Sequence, residues 1–190
     1  MNDNDRTTLA APHYLTLFEL LLLGMLGALV VFANVALRFP IRMPGHSGIV
    51  WMALLVIARV IVPKHGASSF AAVLSGVLAA LMGVGDKGAL NTLLSYAAAG
   101  VGVDVVCALV RAPERAAVCA AAGAVGNLAK LGVKVLLELW IGIPTGFVLL
   151  GRVYPAVTYT VFGAAGGYLG FLVLQALRRA GFFAYLAERR

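Results

Sequence analysis

Residues 16–37 read TLFELLLLGMLGALVVFANVAL, an almost wholly apolar run. As a helix rising ~1.5 Å per residue, it is long enough to cross a hydrocarbon layer ~30 Å thick. Five further stretches of similar character follow at about 47–63, 67–84, 89–110, 116–139 and 155–177, divided by short polar loops. The second and third are short and read as little tilted or partly buried. Lipid offers no partners to backbone N–H and C=O groups, so helices are the expected form, whereas a barrel would need shorter, alternating segments. The chain therefore reads as an all-α integral membrane protein. It is a single domain over 1–190, a compact bundle of six transmembrane helices with a short tail at 1–14 and a basic tail at 178–190.

Composition agrees with that reading. Hydrophobic residues make up 62% of the 190 and charged residues only 12%, and the mean hydropathy is +0.95, far above that of a water-soluble domain. Orientation follows from the basic residues. With the N-terminus cytoplasmic, Arg6, Lys64, Arg111, Arg115, Arg178, Arg179, Arg189 and Arg190 lie inside, against Arg38, Arg42, Lys87 and Arg152 outside. This bias places both termini in the cytoplasm. The formal charge of +7 reads as an orientation signal with an attraction to anionic membrane lipids, and no basic run interleaved with stacking aromatics suggests nucleic acid. The acidic tail MNDNDRTTLAAPHY and the lack of a small-residue cleavage site after the first stretch point to a retained helix rather than a removable leader. Cys107 and Cys119 read as buried small residues, with no disulfide or metal spacing.

Glycine placement predicts close helix contacts. Gly163 with Gly167 and Gly166 with Gly170 form two interleaved small-xxx-small patterns in the last stretch, and Gly24 with Ala28 forms another in the first. Internal packing accounts for such patterns in any bundle; a partner-facing role for Gly24 and Ala28 stays open.

Charges placed within apolar stretches cost ~2.5–3.5 kcal/mol each on insertion scales, which makes Arg59, Asp104, Lys130 and Lys134 the first candidates for function. Arg59 and Asp104 share a similar depth in the cytoplasmic halves of the second and fourth stretches and read as a structural ion pair. In the fifth stretch Asn127, Lys130, Lys134 and Glu138 recur at steps of three and four, one polar stripe on one helical face. Lys130 falls roughly 12 Å below Glu138 and about 15 Å below Trp140, an interfacial anchor, and so near mid-membrane. The stripe reads either as a structural solution, with Lys134 paired to Glu138, or as the cationic wall of a cavity open to the outside.

Other segments reach the same outer end. RFPIRMPGHSG (38–48) brings Arg42, His46 and Ser47; GDKG (85–88) brings Asp86 and Lys87; Asn91, Thr92, Ser95 and Tyr96 lie early in the fourth stretch. WIGIPTGFVLLGRVYPAVTY (140–159) adds Trp140, Arg152, Tyr154 and Tyr159. The candidate ligand-binding set is Arg42, His46, Asn91, Tyr96, Asn127, Lys130, Lys134, Glu138 and Trp140. Aromatic rings with polar tips suit a small cyclic ligand, and they equally suit the interfacial belt of membrane proteins.

Enzyme chemistry finds no foothold: there is no Walker phosphate loop, HExxH, GxSxG elbow or dense metal-ligand cluster, and no cofactor is implied. Two rivals remain. A stand-alone secondary transporter would show internal repeats, and none relates 1–95 to 96–190. An intramembrane enzyme or assembly factor would need His46, Asp86, Asp104 or Glu138 to converge.

Six helices in 190 residues, inward termini, a long first outer loop, a glycine-rich bundle and polar outer ends of the later helices resemble the substrate-binding S components of energy-coupling factor (ECF) vitamin transporters. The resemblance covers nearly the whole chain and is architectural. It implies a multi-pass protein of a bacterial-type cytoplasmic membrane that captures a vitamin or precursor from outside, and a first outer loop that covers the ligand. It further implies a transmembrane coupling subunit and cytoplasmic ATPases as partners. S components carry an AxxxA surface on the first helix toward the coupling subunit; here Gly24 to Ala28 offers a similar small-xxx-small surface instead.

Overall fold

The computed structural model describes residues 15–36, 44–85, 88–110 and 114–182. They form six helices: α1 (Leu17–Ala36), α2 (Gly48–Ile61), α3 (Ala67–Leu81), α4 (Ala89–Leu109), α5 (Ala116–Trp140) and α6 (Thr145–Arg179). Arg42, Asp86, Lys87 and both predicted terminal tails except residues 178–182 lie outside the described residues.

Four helices, α1, α4, α5 and α6, are long and apolar enough to cross a membrane. At 14 and 15 residues, α2 and α3 fall short of a full crossing. The reason α2 needs no full crossing is its place in the bundle. Helix packing runs α1 to α3, α4, α5, α6 and back through α2, which also touches α3, α4 and α5. Eleven residues of α2 are buried, so protein rather than lipid surrounds its ends, and irregular backbone there is tolerated.

α6 differs most from the sequence reading, which starts the last stretch at about residue 155. The helix instead begins at Thr145 after Pro144 and runs for 35 residues with Pro155 inside it. The segment read as an outer loop after Trp140 is therefore only a short turn, and Arg152, Tyr154 and Tyr159 are helical.

The interleaved glycines of α6 sort onto two neighbours. A Cβ on Gly163 or Gly167 would strike the α5 backbone at Gly123 or Cys119, while one on Gly166 or Gly170 would strike α2 at Ile49 or Ala53. Two adjacent small-residue stripes thus let α6 press against two helices at once. On α1, Gly27 meets α3 closely at Ala71 and Ser75, Gly24 faces Leu74 of α3, and Ala28 is exposed.

At the end of the bundle that includes the α2–α3 turn, ionic contacts fasten the helices. Arg59 Nε lies 3.2 Å from Asp104 Oδ1, both side chains being buried or nearly so. The Asp104 carboxylate also accepts from Ser69 N at 2.8 Å, Ser69 Oγ at 2.7 Å and Ser68 N at 3.3 Å, capping α3 from another helix in place of a local cap. Glu19, 2% exposed, binds Lys64 Nζ at 2.7 Å, and its carboxylate also takes Thr16 N in a reciprocal capping box.

Candidate functional site

Five helices deliver polar or aromatic side chains to one buried cluster. Lys130 of α5 is 8% exposed, and its ammonium sits 4.4 Å from the Trp51 ring centroid and 5.4 Å from that of Tyr96. The two rings, from α2 and α4, lie 4.9 Å apart and tilted by 38°. Asn34 of α1 donates to the Tyr96 hydroxyl at 3.0 Å. Ring faces carry negative charge density, so two of them around one ammonium replace part of the hydration it loses on burial.

The other half of the cluster centres on Tyr159 of α6. Asn127 Nδ2 donates to the Tyr159 carbonyl at 2.8 Å, and Lys134 Nζ donates to its hydroxyl at 3.2 Å. The turn at 44–47 and the start of α2 close over these groups. Gly45, at φ 84°, lies so near the Tyr159 ring that a Cβ would clash, and Gly48 lies equally close to the Asn127 amide. Only glycine permits both the left-handed turn and the close approach at position 45.

Of the sequence candidates, Tyr96, Asn127, Lys130 and Lys134 thus meet around Trp51 and Tyr159. Glu138 does not join them, nor does it pair with Lys134: it binds Arg152 of α6 through both carboxylate oxygens. A helix that starts ten residues earlier than expected brings that arginine beside α5. Trp140 ends α5 at 83% exposure, as an interfacial anchor would be. His46 is half-buried in the 44–47 turn, and Asn91 accepts from the Ser95 hydroxyl at 3.2 Å near the start of α4. Arg42 lies outside the described residues.

Sequence reasoning missed Trp51, Asn34 and Glu19. Trp51 and Asn34 stand singly in apolar runs and make no periodic pattern. Glu19 carried a usable signal, an acid at the start of a membrane-length run.

Near the α5–α6 junction, a cavity of about 220 Å³ is lined by Glu138, Ile143, Phe147, Val148, Gly151 and Arg152. A shallow surface groove of about 340 Å³ is lined by Leu128, Leu131, Gly132, Val135, Arg152, Val153 and Ala156. Neither is lined by Lys130 or Lys134. Among the described residues, no group of three or more His, Cys, Asp or Glu side chains is placed to hold a metal ion.

Long apolar helices around buried cations and rings define a multi-pass, membrane-embedded helical protein. The chain belongs to the family described as the permease component of ABC-type cobalt transport systems, which matches residues 17–129, more than half of its length. It is accordingly a component of a membrane transport system. No curated protein and no solved structure matches the chain.

Proposed function

We propose that the chain is the substrate-binding S component of an ECF-type importer. All six helices lie within a bacterial-type cytoplasmic membrane, the whole chain forms one domain, and both termini face the cytoplasm. The protein captures a vitamin or related small molecule from outside and catalyses no reaction itself. A transmembrane coupling subunit and separate cytoplasmic ATPases supply the energy. Membership of a transport family supports this reading, as does a sequence without a nucleotide-binding motif.

The observation that carries it is the five-helix cluster around Lys130. A lysine held beside a pair of touching aromatic rings deep in an apolar bundle is expensive for a purely structural element, and it offers a cation and flat surfaces to an organic ligand bearing acid or carbonyl groups. Asn127 and Tyr96 hold the walls in place, Lys134 adds a second cation, and the 44–47 turn with His46 covers the cluster.

Cobalt is the second reading, favoured by the description of the family. The cluster argues against it, because ammonium and indole groups do not ligate a divalent cation and two lysines repel one. Purified protein assayed for organic compounds by mass spectrometry and for cobalt by elemental analysis separates the two. An organic molecule near one per chain, with ATPase subunits co-purifying, is expected. Cobalt near one per chain with no organic compound would overturn the proposal.

A further inference from the structure

The geometry points to Trp51 as a specificity-determining residue of this site, whose indole N–H donates to the substrate. The substrate is therefore a planar ring compound with a hydrogen-bond acceptor at its edge: a carbonyl, a ring nitrogen or an acid group. This rests on the reading of the chain as a substrate-binding component.

Trp51 is 4% exposed, and its Nε1 has no hydrogen-bond partner among the described residues. Buried indole N–H groups usually find an acceptor, because leaving one without costs the full desolvation of the donor. Other polar groups of the cluster have protein acceptors: Asn34 on Tyr96, and Asn127 and Lys134 on Tyr159. Among the described residues the other buried side-chain donors without a hydrogen-bond partner are Nε and Nη1 of Arg59, whose guanidinium has its Nε 3.2 Å from the Asp104 carboxylate and is compensated by that charge. At Trp51 the Tyr96 ring and the Lys130 ammonium lie close by, and neither accepts a hydrogen bond from the indole N–H. A phenylalanine would fill an apolar site without the orphaned donor, so the indole nitrogen is the group that needs a reason.

The ring arrangement gives the shape of the ligand. Trp51 and Tyr96 meet at 38° rather than in a parallel stack, so a flat ring inserted between them exchanges one tilted contact for two stacked ones. Trp51 stands in the first turn of α2, directly after the 44–47 turn. Movement of that turn would carry the indole with it and part the two rings. An acid group on the ligand would fall next to Lys130.

Trp51→Phe tests the assignment on the compound retained through purification. Retention at least tenfold below wild type, with an unfolding temperature unchanged or raised, is expected. Equal retention would overturn the role of Trp51 and leave the transport proposal standing. A wild-type protein that retains no organic compound, or only one without a ring and acceptor, would overturn the inference; retaining none would count against the transport proposal as well. Should the variant fail to fold, wild-type protein labelled with ¹⁵N-tryptophan gives two indole resonances, of which the buried one exchanges slowly with deuterium. That resonance is expected to shift when the retained compound is stripped by dialysis, and an unmoved resonance would overturn the assignment.

Discussion

Lys130 illustrates how one residue can be costly to the fold and useful to the site. Desolvating an ammonium costs several kcal/mol, and the Trp51 and Tyr96 faces return roughly 2 kcal/mol of it. Methionine keeps most of the apolar stem without the charge, so Lys130→Met is expected to keep the fold, with a cooperative unfolding transition in detergent, while ligand affinity falls. Asp104 stands at the opposite extreme, because its carboxylate both compensates Arg59 and caps α3. Asp104→Ala leaves a buried guanidinium uncompensated and should cost about 3–5 kcal/mol. The double variant with Arg59→Met should recover part of that loss in denaturant or thermal unfolding. The Glu138–Arg152 pair is only partly buried, so Glu138→Gln is expected to change stability by about 1 kcal/mol or less.

At the scale of elements, α6 rests on having no side chain at four positions. Gly167→Val inserts atoms into the α5 backbone at Cys119, and Gly166→Val does the same at Ile49 of α2. Each is expected to destabilise by roughly 1–3 kcal/mol or more. Gly132 of α5 has open space where a Cβ would go, and Gly132→Ala should be neutral or gain up to about 1 kcal/mol through helix propensity. Thermal unfolding of the three variants in one detergent checks the contrast.

The same elements show what the sequence made legible. The polar stripe of α5 was readable because steps of three and four leave a periodic trace, and the internal role of the α6 glycines followed from their spacing. The start of α6 was not readable, because Pro155 carries the signature of a first turn yet lies inside a helix that begins ten residues earlier. Trp51 could not be found because a tryptophan in an apolar run is ordinary, and its unmatched N–H exists only once α2 is surrounded by other helices. The Glu138–Arg152 contact was hidden for a related reason: it depends on where α6 starts.

For the whole molecule, the four membrane-length helices and the buried α2 describe a bundle built from the inside out, and orientation is the property that its proposed work requires. With the α2–α3 turn in the cytoplasm and the α5–α6 turn outside, His65→Cys should be shielded from a membrane-impermeant thiol reagent in intact cells, whereas Ile143→Cys should be labelled. Both positions are exposed, and the native Cys107 and Cys119 are buried, so background labelling should be low. The reverse pattern would place the cluster at the wrong face for uptake.

The central claim is that the buried cationic and aromatic cluster is where the transported molecule binds. The most direct measurement is the equilibrium affinity of the retained compound for wild-type protein and for Lys130→Met, each confirmed folded by its unfolding transition. Affinity at least tenfold weaker in Lys130→Met, equivalent to about 1.4 kcal/mol, is the predicted result. Equal affinity in two equally folded proteins would contradict it.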